Sequence, residues 1–508
     1  MPIINSVISW LIKKRLHQIQ LFLKYPHEVQ DEWLRKLVYD AKDTEWGRKH
    51  DYQSIKNYSD YTARVPIQGY EDIKPTIERL MKGEQNLLWP TDIRWFAKSS
   101  GTTSEKSKFI PVSEEALLEC HFKGGKDMLS IYTNNRPDNL LFTGKCLVLG
   151  GSHQANPFSG ESWYGDLSAI LMQNLPLWIE YMRTPELSIA LMDNWEEKLN
   201  KLVEITKNEN VTNISGVPTW TLLLAKRILE ETGKKHLLEV WPNLELFIHG
   251  AVSFTPYREQ FEKLMPPPRV NFLETYNASE GFFGIQDSLN SDGLLLMLDY
   301  GIFYEFMPVD DIGTDSPRTL RLHEIETGVN YSLIISTNAG LWRYILGDTI
   351  TFISKDPYRI SITGRTKHFI NAFGEELIID NAEKALKEAC SNTSAVIREF
   401  TAGPVFFSEK ESGAHEWLIE FETEPHDMET FIYTLDRSLQ SLNSDYEAKR
   451  QGGLALRLPI VRSMPDSTFY DWMKSKQKLG GQHKVPRLSN DRRYLDEILA
   501  FADPVQVS

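Results

Sequence analysis

The chain of 508 residues predicts an α/β protein: a large N-terminal domain with sheets and a strand-rich module, followed by a small α/β C-terminal domain. Three observations lead there. The length exceeds what one ordinary core accommodates, so at least two domains are expected. Short apolar runs rich in β-branched residues alternate with helix-like segments through the first half. The pattern then breaks near Gly364-Arg365-Thr366-Lys367, and a shorter alternation of helix and strand begins. Residues 1–366 are therefore read as the large domain and 367–508 as the small one.

At the N-terminus an apolar run over 3–12 is followed by Lys13-Lys14-Arg15. A secretory signal carries its charge before the apolar run, and this run is too short to span a bilayer. It reads as an amphipathic packing helix, with interfacial membrane contact the lesser alternative. Strands are expected at 93–97, 146–149, 244–248, 270–273, 294–298, 303–307, 331–335 and 350–353. Helices are expected over 188–206 and 219–231, and the stretch 294–362 forms the strand-rich module. In the small domain 381–389 reads as a helix, 417–421 as a strand, 428–450 as one long helix and 456–461 as a strand. No repeat or low-complexity segment interrupts this order.

Composition removes several function classes. Hydrophobic residues at 41% describe a packed globular protein, and a net charge of −14 offers no general surface for nucleic acid. Cys120, Cys146 and Cys390 form no C-x-x-C pair, which suits a reducing cytoplasm and excludes a cysteine zinc site. The expected protein is cytoplasmic, without nucleic-acid or membrane partners, and by default a monomer. The chain has no G-x-G, no glycine-lysine pair at P-loop spacing, no G-x-S-x-G and no H-E-x-x-H. A nucleotide site must be built in another way.

Five segments supply one. Ser99-Ser100-Gly101-Thr102-Thr103-Ser104-Glu105-Lys106-Ser107-Lys108 puts hydroxyls, backbone N–H groups and lysines in a loop after a strand, chemistry suited to a polyphosphate. The same residues also make surface turns. Tyr276-Asn277-Ala278-Ser279-Glu280-Gly281 follows a strand-like run, at the strand end where open α/β sheets hold ligands. Glu280 there suits Mg²⁺ and Tyr276 a base; a plain strand-to-loop turn is the alternative. Asp348, after Gly347, suits two ribose hydroxyls, or else ends a hairpin turn. Gly364 to Gly374 carries Arg365 and Lys367 across the domain break and reads alternatively as a basic hairpin. Lys484 sits in a glycine-led loop of the small domain, where an exposed loop lysine is the plain reading.

In this order and spacing the segments resemble the adenylate-forming enzymes, and more narrowly the auxin-responsive promoter family of acyl acid–amido synthetases, here taken as a bacterial-type member. Ser99 to Pro111 matches S-S-G-T-[ST]-x-x-x-x-K-x-x-P, and Tyr276 to Glu280 matches Y-x-x-S-E. Tyr344 to Asp348 matches Y-R-x-G-D except that Ile345 replaces arginine, a loss that Arg343 is expected to offset. Glu105 stands where plant members usually carry glycine. Gly364 to Gly374 follows the superfamily's hinge pattern, with Lys367 at the hinge.

The resemblance implies the adenylate-forming fold with a mobile small domain, ATP and Mg²⁺ as cofactors, and small carboxylic acid and amino acid substrates. It implies phosphate binding by Ser99, Ser100, Gly101, Thr102, Thr103 and Lys108, and nucleotide binding by Tyr276, Asn277, Ser279 and Asp348. Glu280 would hold the metal, Arg365 the ribose or α-phosphate region, and Lys484 the α-phosphate in the transition state. Gly250, Ala251 and Phe283 would border the acyl pocket, with Trp220 assigned to the core. The implied reaction is acyl-adenylate formation followed by amide formation. A thioester-forming acyl-CoA-type ligase and a nucleotide- or acid-binding protein without turnover are the alternatives.

Overall fold

The computed structural model describes residues 5, 10, 13–100, 107–150, 153–155, 161–192, 194–289, 291, 293–314, 316–365, 369–408, 411–476 and 485–502. Contacts gather the chain into two units. The first joins Met1–Ser99 to Phe109–Thr366, and the second joins Ser100–Lys108 to Lys367–Ser508. In the second unit the buried Ser107 and Ser444 hydroxyls lie 3.0 Å apart.

The first unit is organised by one sheet of 11 strands. Val211–Ser215 and Leu246–His249 run parallel to one another and bury nearly every residue. Parallel strands covered on both faces favour continuous apolar sequence; residues 246–248 supply it, whereas Val211–Ser215 buries the polar Thr212 and Asn213 as well. Leu246–His249 also runs parallel to Asn271–Ala278. From there every further neighbour is antiparallel: Gly281–Ile285, Leu294–Leu296, Tyr358–Arg365, Tyr344–Lys355, Asn330–Thr337 and Ile302–Pro308. Asn271–Ala278 is thus the seam between a parallel half and an antiparallel half. A separate sheet of 4 strands contains Trp95–Ser100 and Ser107–Val112.

The second unit pairs Val396–Val405 with Ala414–Thr423 antiparallel, and the latter with Ile460–Met464 in parallel. Helix Ile379–Thr393 packs beside helix Met428–Leu442. Among the described residues no helix is long and apolar enough to cross a membrane.

Several expected elements differ. The helix expected over 428–450 is two helices, Met428–Leu442 and Ser444–Arg450, because Asn443 turns extended and its side chain accepts the Asp445 and Tyr446 N–H groups. Likewise 188–206 holds Leu187–Ala190 and Trp195–Thr206, the second started by the side chain of Asn194 accepting from the Glu197 N–H. The strand expected at 456–461 lies instead at Ile460–Met464. The strand expected at 270–273 continues to Ala278.

Candidate active site

The longer strand moves part of the expected site. Tyr276 and Asn277 belong to Asn271–Ala278 itself instead of following it. Ala278 pairs with Gly281, so Ser279-Glu280 forms a two-residue turn at the tip of a hairpin, with Glu280 half-buried. Tyr276 is buried, its ring 4.9 Å from that of Phe283. Phe283 is the extra residue in the register shift between Phe282 and Gly284, opposite Tyr276 and Asn277.

The Tyr276 hydroxyl donates to Asp348 Oδ2 at 2.6 Å. Asp348 does not end a hairpin turn. It lies within Tyr344–Lys355, in a bulge. Ile345 pairs with Ile334 and Thr349 with Ser332, so Leu346, Gly347 and Asp348 face the single residue Leu333. Gly347 has φ +94° with open space where a Cβ would stand, so backbone conformation, not crowding, asks for glycine. On the other side Asp348 stands in register with Arg365 at the end of Tyr358–Arg365. Tyr276, Asp348 and the Arg365 backbone therefore meet on adjoining parts of one sheet.

Arg343 does not offset the missing arginine at 345. Its guanidinium is buried against Glu305, with Nε to Oε2 and Nη2 to Oε1 both at 2.9 Å. It also donates to the Val65 carbonyl and the Thr319 hydroxyl, each at 2.9 Å. A buried arginine so engaged is a structural ion pair.

At the C-terminal ends of the parallel strands the backbone is crowded. A Cβ on Gly250 would fall 2.5 Å from the Thr275 carbonyl oxygen, and Ala251 takes φ +70°. A Cβ on Gly216, just after Val211–Ser215, would lie 3.0 Å from both Leu149 and Thr221. Trp220 is buried in helix Pro218–Thr232, in keeping with a core role. Sequence reasoning missed His249, which ends Leu246–His249 in register with Glu274, two residues before Tyr276. Its ring stacks on Phe254 at 3.9 Å, and its buried Nδ1 has no hydrogen-bond partner among the described residues. Burial pushes its pKa down to about 3, and burial raises that of Glu274. Gly250, already expected at the acyl pocket, follows His249 directly, and that adjacency is the signal that could have found it.

Also missed was a π-helical turn, Ala116–His121. His121 Nδ1 lies 3.1 Å from Asn277 Oδ1, and Cys120 Sγ accepts the Phe282 N–H at 3.2 Å. Burial lowers the His121 pKa to about 4, so its ring is neutral near pH 7.

Ser99 ends the described part of the phosphate-loop segment in the first unit, and Lys108 lies in Ser107–Val112. Gly101, Thr102, Thr103, Lys367 and Lys484 lie outside the described residues, as do the side chains of Ser100 and Arg365. No cluster of three or more His, Cys, Asp or Glu suited to a metal occurs among the described residues. A single carboxylate such as Glu280 still fits Mg²⁺, which takes one or two carboxylates and completes its shell with phosphates and water.

Comparison with known proteins bears on the family and the fold. The GH3 family N-terminal, central and C-terminal domain models match residues 15–270, 295–365 and 380–493. The indole-3-acetic acid-amido synthetase GH3.3 of Arabidopsis thaliana is 22% identical, over 93% of this chain and 91% of its own length. The 4-substituted benzoates-glutamate ligase GH3.12 of the same plant is also 22% identical, over 90% and 92%. Among solved structures, the GH3.15 acyl acid amido synthetase superposes with TM-score 0.60 at 17% identity, over 96% of each chain. The 2-hydroxyisobutyryl-CoA ligase bound to 2-HIB-AMP and CoA, in its thioesterification state, gives 0.59 at 13% identity, over 93% and 91%. The fold is that of the adenylate-forming ligases, and with three domain models along its length the chain belongs to the GH3 family.

Proposed function

We propose that this protein is an ATP- and Mg²⁺-dependent ligase that activates a small carboxylic acid as an acyl-adenylate and transfers it to an amino acid as an amide. One observation carries the reading. The Tyr276–Asp348 hydrogen bond joins two motifs 72 residues apart, beside the Glu280 turn and in register with Arg365.

A carboxylate is a poor acylating agent because its leaving group would be oxide. Attack by its oxygen on the α-phosphorus of ATP forms a C–O–P link and breaks the bond to pyrophosphate. The amine then attacks the acyl carbon, AMP departs and the nitrogen loses a proton. Charge gathers on phosphate oxygens in the first step, so positioning and electrostatics carry most of the rate. Asp348, held by the Tyr276 hydroxyl, accepts from the ribose hydroxyls. Mg²⁺ at Glu280 would neutralise phosphate charge. Ser99 and Lys108, with the loop between them, take the phosphates. Lys484 takes the α-phosphate, and Lys367 is the proposed hinge. The rim at Gly250, Ala251 and Phe283 borders the acid. The names of the relatives, amido synthetases and a benzoates–glutamate ligase, support an amide product. Action as a cytoplasmic monomer is part of the proposal.

A thioester product is the second reading, favoured by the likeness to the CoA ligase. The test is ATP–pyrophosphate exchange across aryl, indole and aliphatic acids with Mg²⁺, then challenge of the adenylate with amino acids, hydroxylamine or coenzyme A. Acid-dependent exchange with amide formation is expected. ATP binding without acid-dependent exchange would leave a binding protein in its place.

A further inference from the structure

The Ser279-Glu280 turn is held from outside its own hairpin. Two-residue hairpin turns ordinarily recruit glycine, asparagine or aspartate at positive φ, because that backbone matches the twist of the strands. Ser279 and Glu280 offer neither glycine nor asparagine, and neither takes a positive φ. The rung behind the turn pairs Asn277 with Phe282. Both members of that rung are gripped by consecutive residues of the π-helical turn. His121 meets the Asn277 side chain at 3.1 Å and Cys120 takes the Phe282 N–H at 3.2 Å. The helix that follows packs against the same rung at a glycine: a Cβ on Gly124 would lie 2.6 Å from the Phe282 ring. With Asn277 Oδ1 as acceptor, the His121 Nδ1 carries the proton and donates. Single-turn π segments recur at functional sites, and this one delivers two adjacent side chains to one rung.

We propose that His121 is a positioning residue that acts through Asn277 to aim the Ser279-Glu280 turn at magnesium–ATP. The inference rests on the reading of Glu280 as the metal-holding group. A histidine that is merely a satisfied core residue would contribute to stability alone, and the two roles separate on magnesium dependence.

The experiment is calorimetric titration of the full-length protein with ATP, without acid substrate, in excess Mg²⁺ and again in EDTA, alongside thermal melts. His121→Leu is expected to weaken binding about three- to tenfold in Mg²⁺, the span of one neutral hydrogen bond, and to leave binding in EDTA unchanged. His121→Gln keeps an N–H for Asn277 and should remain within about twofold of the parent. If His121→Leu does not fold, His121→Phe, which keeps a ring but has no N–H, takes its place and must show the same magnesium-selective loss. Equal weakening with and without Mg²⁺, or no weakening, overturns the proposal. Glu280→Gln separates the layers. Wild-type Mg–ATP binding in that variant overturns the metal reading and this inference with it. Weakened binding there, with His121→Leu unaffected, overturns this inference alone.

Discussion

Replacing Tyr276 with phenylalanine removes one oxygen and little else. The ring keeps its place against Phe283 and its burial, so the core is spared. What is lost is the 2.6 Å donation to Asp348 Oδ2, a length typical of a hydroxyl bound to a carboxylate. Hydrogen bonds to charged groups contribute about 1.5–3 kcal/mol. Asp348 is half-buried, so water can replace the donor in part and the lower figure applies. About 1.5 kcal/mol corresponds to roughly a tenfold change in an equilibrium constant. If the bond orients a carboxylate that holds the ribose, the loss falls on nucleotide binding. KM for ATP in acid-dependent pyrophosphate exchange should rise roughly tenfold, with kcat within about twofold of the parent. An unchanged KM for ATP, in the face of a large effect from Asp348→Ala, would refute the orienting role. A drop in kcat at constant KM would refute it equally, placing the hydroxyl in the transition state.

Lys484→Ala should cut pyrophosphate exchange by two orders of magnitude or more while ATP binding measured calorimetrically stays nearly intact, since a contact made only in the transition state is invisible in the ground state. Arg343→Met leaves Glu305 buried without its ion partner and should cost about 3–5 kcal/mol in urea unfolding, with Arg343→Met/Glu305→Met recovering much of it. A stable Arg343→Met protein with weak ATP binding would return that arginine to the nucleotide. Gly250→Val forces a side chain against the Thr275 carbonyl, so a loss of about 1–3 kcal/mol and a raised KM for the acid are expected, and a protein of parental stability would contradict the geometry. His249 has a folded pKa of about 3 against an ordinary 6.5, so the unfolded chain binds the extra proton between those values. Stability should fall as pH drops below 6.5, by at most about 1.4 kcal/mol per pH unit for this group. His249→Leu should flatten that slope, and an unaltered slope would mean that the ring titrates normally.

The residues later found together were legible one motif at a time, because each carries its chemistry in its own side chain. Tyr276 and Asp348 were chosen from separate segments, and the fold bonds them. Their local setting was harder to read. Gly-Asp suits a turn and a bulge for the same reason, a positive φ at glycine, and only pairing with Leu333 distinguishes them. The strand through Tyr276 was cut short because Glu274, Thr275 and Asn277 interrupt its apolar run. Helical periodicity continues across Asn443, whose capping bonds break the helix without any proline or glycine. His121 and Cys120 stand 156 and 162 residues from the groups they hold. No local pattern reports a bond of that reach, and both side chains also satisfy an ordinary core pattern.

The bulge at 346–348 sets a rule of parity for this protein. Strand side chains alternate between two faces, so losing one residue there turns over everything on one flank, and the protein should not tolerate it. Losing Leu346 and Gly347 together is different: Ile345, Asp348 and Thr349 would then face Ile334, Leu333 and Ser332 in unbroken succession. Such a chain keeps both faces of its sheet and gains a regular ladder, but it draws the carboxylate back into the strand, away from the Tyr276 hydroxyl. The two extra residues are what separates a regular ladder from a sheet whose Asp348 carboxylate meets the Tyr276 hydroxyl.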